Sequence, residues 1–423
     1  MSNARHDTLT ANELEQAIAE NHRQLFSLNA ISLGGRAVRG NDIEWTYIND
    51  KEASAVMFPS LTEENVRQEL NFLMESYRQY TPASAGYWSL LPKKPANIGL
   101  YLLARGWQTG WQPCWMALDT LTDQFDNTLP EGYRITEEND VDASMVKDLP
   151  YAEDNAYFSS TLIKQYPGKA RRIVAWHNET IIGQCCLFFS EAPANVVGLY
   201  NMGVIPQQRK KGIGKALLHT AALVAQKKGI PYVTLNANHI GRPLYQKVGF
   251  KLIGYGTTWW LMNKNYLRQL PVEIQLAEAI GLGNINALDQ LIPSVPKEIL
   301  AQSMCNDMRW IEFAIYQGQE ASVTWLMNNG AALTALDAWV LGWKEKATTL
   351  LRNDPEEINR RYFDWRGTLL HVAAEKNDLA LLQFALQYNP DLTIKDHHHN
   401  GTPLDWAVFF KRDEMVRLLE QAE

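Results

Sequence analysis

Pro206 to Leu218 read P-Q-Q-R-K-K-G-I-G-K-A-L-L, four cationic side chains and two glycines in a chain whose net charge is -7. Ahead of this stretch an apolar run, Asn195 to Ile205, reads as a strand. Behind it Gly214 to Lys228 reads as a helix, with Leu217, Leu218, Ala221, Ala222 and Val224 on one apolar face. Gly229 stops that helix, and P-Y-V-T-L-N follows as a buried strand. Strand, glycine turn, helix and strand make an α/β unit. The first amides of a helix have no partner within it and carry partial positive charge, so such a turn suits an anion. Glycine at 212 and 214 lets the backbone approach that anion closely.

Three glycine-loop patterns compete for the segment. A Walker loop needs G-x-x-x-x-G-K-[ST], which Gly212 and Gly214 cannot supply. A dinucleotide fold needs glycine or alanine in the third place of G-x-G-x-x-G, where Leu217 stands. The remaining pattern, R-x-x-G-x-G, is met by Arg209, Gly212 and Gly214 after a strand ending in V-I-P. It resembles the acetyl-CoA pyrophosphate loop of the GNAT (GCN5-related) N-acetyltransferases. Other segments resemble the same family in the same order. L-P-E-G-Y-R-I-T at Leu129 is similar to its first strand. The hairpin R-R-I-V-A-W, H-N-E-T, I-I-G-Q-C-C-L-F-F is similar to its second and third strands. N-H-I-G-R-P-L-Y-Q-K-V-G-F resembles its N-x-x-A-x-x-L-Y-x-K-x-G-F segment, with Asn238, Tyr245, Gly249 and Phe250 in place and Gly241 where alanine is usual.

The resemblance implies an α/β GNAT fold with a mixed central sheet over residues 129–268, and acetyl-CoA as cosubstrate. It implies that main-chain groups of Met202 and Val204 meet the pantetheine. Arg209, Lys210, Lys211, Gly212, Ile213, Gly214 and Lys215 would wrap the pyrophosphate. Asn238 would contact the cofactor or fix the loop before its helix. Tyr245 would protonate the departing thiolate, or else only pack beside the cofactor; a phenol with a pKa of about 10 is a reasonable donor. Many family members carry a carboxylate base on the central strand, but V-V-G-L-Y-N-M-G-V has none. Glu153 and Asp154 fall in the region that forms the family's acceptor-site helices. They would draw a cationic amine or act through a water, or else are solvated surface.

Residues 1–125 carry one echo of the later segment. N-I-G-L-Y-L-L-A-R-G-W from Asn97 parallels G-R-P-L-Y-Q-K-V-G-F, and each leads into an apolar strand, C-W-M-A-L and W-W-L-M. This points to a second, degenerate copy of the fold. Its Gly34-Gly35 pair is not followed by a helix pattern, so no phosphate turn is expected there. Beyond about Leu270 strand patterns stop. G-T-L-L-H-V-A-A at Gly367 and G-T-P-L-D-W-A-V at Gly401 repeat, each followed by a second apolar helix pattern. The spacing is close to the ankyrin period of ~33 residues. V-T-W-L-M-N-N-G-A-A-L and I-Q-L-A-E-A-I-G-L-G-N resemble further units. The expectation over residues 272–423 is an all-α ankyrin-repeat solenoid that binds a protein partner.

The bulk properties narrow the function. A hydrophobic fraction of 46% and a charged fraction of 21% are those of a soluble globular protein. The negative net charge gives no support for a nucleic-acid binder. Cys114, Cys185, Cys186 and Cys305 lack metal-ligand spacing and read as buried reduced thiols. His397, His398 and His399 read as a solvated turn, and the Trp259-Trp260 pair as core. No signal-peptide pattern and no apolar run of ~18 residues is present, so a cytoplasmic protein without a membrane or metal partner is expected, with export lacking a cleaved signal still compatible. Two functions are carried forward. One is acetyl-CoA-dependent N-acetylation of a primary amine on a small molecule, peptide or protein, with the repeats binding a partner. The other is an interaction protein in which the acetyltransferase fold is a relic.

Overall fold

The computed structural model describes residues 9–122, 124–296 and 298–422. The chain divides into two compact units, Met1–Gln269 and Leu270–Glu423.

The first unit is organised by one 12-stranded sheet. Its first half runs α1 (Ala11–Ser32), β1 (Arg36–Arg39), β2 (Glu44–Tyr47), β3 (Ala53–Met57), α2 (Val66–Gln79), β4 (Ser84–Leu90), α3 (Ile98–Leu103), β5 (Gln108–Thr109) and β6 (Cys114–Asp119). Its second half runs β7 (Tyr133–Glu137), α4 (Ser160–Gln165), β8 (Ala170–His177), β9 (Thr180–Phe189), β10 (Val197–Val204), α5 (Ile213–Lys227), β11 (Tyr232–Ala237), α6 (Arg242–Val248) and β12 (Lys251–Leu261). Across the sheet the order is β1-β2-β3-β4-β12-β6-β11-β10-β9-β8-β7, with β5 also on β12. Most neighbours are antiparallel, but β3 with β4 and β10 with β11 are parallel pairs. In each parallel pair a helix, α2 or α5, makes the crossover that parallel strands require.

Chain order and sheet order diverge at the centre. Strand β6 of the first half lies between β11 and β12 of the second, antiparallel to both. The far end of β12, Gly256–Leu261, pairs in turn with β4. Alternation along β9 supplies both faces of the sheet. Cys185 joins the core under α5 with Leu217, Leu218 and Ala221, and Cys186 joins the opposite core with Phe26, Leu162 and Trp88. Cys114, Cys185 and Cys186 are buried free thiols, and Cys305 is half-buried. Trp259 is 2% exposed, and Trp260 meets Trp88 edge-on at 6.2 Å.

The second unit has helices and no extended strand among its described residues. They come in five consecutive pairs: α7 (Pro271–Gly281) with α8 (Ile285–Leu291), α9 (Trp310–Tyr316) with α10 (Glu320–Asn328), α11 (Ala335–Val340) with α12 (Lys344–Asn353), α13 (Leu369–Lys376) with α14 (Leu379–Leu386), and α15 (Pro403–Phe409) with α16 (Asp413–Ala422). Thr334, Thr368 and Thr402 each precede the first helix of a pair and exchange capping bonds with Asp337, His371 and Asp405. A Gly-Thr pair marks the second and third of these starts in the sequence. Thr334 carries no such mark, because Leu333 stands where Gly367 and Gly401 precede the other two. The histidine run is shaped from beneath. Buried Asp396 accepts from the amides of His398, His399 and Gly401 and from the Trp406 indole, and the rings of His398 and His399 face outward. No helix of the described residues is long and apolar enough to cross a membrane.

Candidate functional site

The site begins where two strands part. β10 and β11 pair in parallel only at Val197–Leu199 and Val233–Leu235. Beyond that, β11 stays with β6 as far as Ala237, and β10 stays with β9. The β9–β10 register slips between Tyr200 and Gly203, and Asn201 takes φ 48°. Asn201 and Met202 together face the single residue Cys185, which is a β-bulge. The result is a wedge whose β10 edge, Tyr200 to Val204, has no strand beside it. Main-chain groups on such an edge need an outside partner.

The glycine turn stands at the mouth of that wedge. After β10 the chain makes a 3-10 turn at Pro206–Gln208, then takes φ 63° at Lys210 and φ 84° at Gly212, the residue ahead of α5. Gly212 is required by this left-handed backbone, which side-chain-bearing residues rarely adopt. No side chain caps the helix start, so the leading amides of Ile213, Gly214 and Lys215 have no intrahelical acceptor. A Cβ on Gly214 would lie 3.0 Å from Leu244 and 3.5 Å from Met202, so glycine lets α5 start hard against α6 and β10. Lys210, Lys211 and Lys215 are exposed around the turn. Lys211 also donates to Gln208 Oε1 at 2.9 Å, and Gln208 accepts from the Tyr133 hydroxyl at 3.1 Å. Arg209 turns back and donates through Nε to the Val204 carbonyl at 3.1 Å, so that carbonyl is already engaged.

Tyr245 lies on α6, packed against the α5 core, with its ring 5.8 Å from Phe250. Burial pushes its phenol up to about 12, and Tyr151 and Cys185 act in the same direction. The hydroxyl is therefore a retained proton at neutral pH. A Cβ at Gly241 would come within 2.8 Å of this ring, which accounts for glycine there. Asn238 holds the loop ahead of α6: its Oδ1 accepts from the Gly241 amide at 2.7 Å and its carbonyl from Arg242 at 3.0 Å.

The other face of the bulge is covered by the loop ahead of α4, at Pro150, a residue the sequence does not mark. A Cβ on Gly203 would lie 2.7 Å from Pro150, so the chain around Pro150 rests directly on β10. Gln184 on β9 holds this loop by donating to the Tyr151 carbonyl at 2.7 Å. Only the close approach at Gly203 could have hinted at this, and a lone glycine within a strand does not name its neighbour. Glu153 and Asp154 lie on the same loop and are exposed. Asp154 accepts from the amide and hydroxyl of Ser160 at 2.8 and 2.5 Å, which steadies the start of α4. Glu153 borders an open pocket of ≈ 520 Å³ with Lys147, Asp148 and Tyr151. Among the described residues no group of three or more His, Cys, Asp or Glu side chains is placed to hold a metal ion.

Comparison with known proteins returns the following. The chain is similar to solved structures of a GCN5-related N-acetyltransferase from Kribbella flavida (12% identity, 56% of this chain and 95% of that one, TM-score 0.43) and of another from Sphaerobacter thermophilus (14%, 58% and 92%, TM-score 0.40). It is also similar to a tandem GNAT protein from the clavulanic acid biosynthesis pathway (14%, 60% and 96%, TM-score 0.41). No curated protein matches its sequence. Residues 134–250 match the model of the acetyltransferase (GNAT) family. That span takes in the strand wedge, the glycine turn, Asn238 and Tyr245, and this part of the chain is a GNAT-family acetyltransferase domain.

Proposed function

We propose that the first unit transfers an acetyl group from acetyl-CoA to a primary amine. The observation that carries this reading is the parting of β10 and β11 in front of the uncapped N-terminus of α5. The wedge fits the cosubstrate's two chemical ends. The unpaired edge at Asn201, Met202 and Gly203 suits the amide-rich pantetheine, which pairs as an added strand does. The leading amides Ile213 to Lys215, ringed by Arg209, Lys210 and Lys211, suit the pyrophosphate. When bound, acetyl-CoA supplies an acyl group activated as a thioester.

The chain's own residues would do the remaining work. Tyr245 holds a proton for the departing sulfur, and burial keeps it protonated. The Pro150 loop shields the reacting carbonyl from the far side of β10. Glu153 and Asp154 attract a cationic amine, whose surplus proton leaves through water, since β10 carries no carboxylate.

The first half of this unit reads as a second, ligand-free copy of the fold. Its β3–α2–β4–α3 order mirrors β10–α5–β11–α6 and supports that reading. The second unit reads as an ankyrin-type stack that binds a protein partner, supported by its paired helices and the regular threonine caps.

Calorimetry with acetyl-CoA, followed by a thiol-release assay over polyamines, aminoglycosides, peptide N-termini and lysine peptides, tests the proposal. Micromolar binding with turnover on one amine class is expected. A protein that neither binds acetyl-CoA nor releases thiol would instead be an interaction module on a relic fold.

A further inference from the structure

We propose that Gln184 is a positioning residue: by holding the Pro150 loop against β10 it keeps water from the thioester, and without that hold the site becomes an acetyl-CoA hydrolase. The inference rests on the acetyl-transfer reading above and names the residue that keeps its far-side shield shut. Gln184 is 1% exposed on β9 and pairs with Gly203. Residues directly opposite on two strands direct their side chains to the same face, so the Gln184 amide lies on the face where Pro150 rests on Gly203. Its Nε2 donates to the Tyr151 carbonyl at 2.7 Å, and its Oε1 is buried without a donor. A methionine would fill the same space without stranding an acceptor. What the amide adds is one bond, and that bond goes to the loop.

The bond falls where the loop most needs it. Tyr151 takes φ 57°, a left-handed backbone that bulky residues rarely adopt. Such a conformation persists only where its surroundings impose it. Leu149 is buried just ahead, and Asp154 is bonded to Ser160 just after, so the span left to be held is Pro150 to Glu153. Among the described residues, the Gln184 bond is the one hydrogen bond that ties this span to the sheet.

The span separates two spaces. Outward, Tyr151, Ala152 and Glu153 border the open pocket of ≈ 520 Å³. Inward, it covers the bulge, beside which the thioester would lie. Tyr245 packs on the α5 side of the sheet, yet its phenol feels Tyr151 on the loop. The gap between β10 and β11 thus connects the two sides, and a loop one chain thick stands between solvent and the proton donor. Closure of this kind guards a reactive acyl group against hydrolysis. With the loop lifted, a water oxygen bonds to the acetyl carbon as the carbon–sulfur bond breaks. The thiolate takes a proton from Tyr245, the water's surplus proton passes to solvent, and Tyr245 regains its own from solvent. Acetate and free CoA leave.

The test measures thiol release from acetyl-CoA with no amine present. Losing one net hydrogen bond shifts a closed loop toward its open state by up to about tenfold, so Gln184→Met should raise this release by roughly that factor. Calorimetry should show its acetyl-CoA affinity kept. Loss of the fold would lower thiol release, and only an opened site raises it. Pro150→Gly, which alters the loop and spares the sheet, should also raise it and decides the matter where Gln184→Met does not fold. Release at the wild-type rate in folded Gln184→Met, or in Pro150→Gly, would overturn the inference. Wild-type calorimetry keeps the two ideas apart. Binding of acetyl-CoA without a leak in the variants removes the role of Gln184 alone, and no binding removes the acetyl-transfer reading with it.

Discussion

Both halves of the first unit place a helix between two parallel strands, yet only one of these helices starts at an opening. β3 and β4 stay paired from Ala53 and Ser84 to Met57 and Trp88, whereas β10 and β11 separate after Leu199 and Leu235. The helix ends differ as well. Ahead of α2, Asn65 donates to Asp42 at 2.8 Å, and Glu69, 3% exposed, accepts from Asn41 and from the Asp42 amide at 3.3 and 3.5 Å. Two of the protein's own carboxylates thus stand near the positive end of α2, although no side chain caps its leading amides. Ahead of α5 stand lysines and glycine. A helix start becomes an anion seat only where the chain withholds its own anions and leaves room for a foreign one. Near β4, aromatic rings take the space instead: buried His22 packs among Phe26, Phe58, Trp88, Trp115 and Tyr200 at 5.2 to 6.0 Å.

The hardest blow to this contrast would be to give α5 the anion that α2 already has. Gly212→Asp should weaken acetyl-CoA binding by roughly 100-fold or more, since it puts a carboxylate on the leading amides. Gly212→Asn tolerates the same backbone and should cost less than about 10-fold. Calorimetry decides, and equal affinities for the wild type and the aspartate variant would place the pyrophosphate elsewhere. Next in size is Tyr245→Phe, expected to lower kcat by about 100-fold at unchanged acetyl-CoA affinity. With the phenol pushed up to about 12, the wild-type kcat should keep its proton donor until the pH approaches that value. A loss centred near 10 would mean a solvated donor.

The filled side of the comparison has its own signature. Burial drives the His22 imidazole down to about 4, although its bond to the Ile18 carbonyl pulls the other way. The unfolded chain therefore binds a proton near pH ~6.5 that the folded one refuses. Stability of this unit should fall as pH drops from about 6.5 towards 4 and lose no more to this group below that. His22→Gln should flatten the slope in thermal unfolding followed by tryptophan fluorescence. The smallest effect is expected from Glu69→Gln, which shifts stability by about 1 kcal/mol or less and leaves the stoichiometry at one acetyl-CoA per chain. A second bound equivalent would show that carboxylates alone kept the first half silent.

The parts that read well from sequence are local. Gly212, Gly214, the cations and the apolar face of α5 fall within one continuous stretch, and Thr368 and Thr402 announce their helices through neighbouring residues. The bulge at Asn201 leaves no such mark, because the residue taking positive φ is not glycine. Gln184 looks like an ordinary strand residue until the Pro150 loop is laid over Gly203. The place of β6 was hidden for a similar reason, since a strand's pattern tells which face is buried but not which neighbour lies beside it.

The position of β6 has a consequence for folding. Residues 114–119 complete the sheet of a domain whose other strands begin only at Tyr133, so deleting the first half would leave β11 and β12 without the strand between them. The half without a phosphate turn thus donates a strand to the other, whatever it binds. It also delays maturation: ribosomes deliver β6 long before its two partners exist, and pairing across more than a hundred residues comes late in a chain of this topology. Anything that traps β6 in that interval would silence the wedge without touching a residue in it.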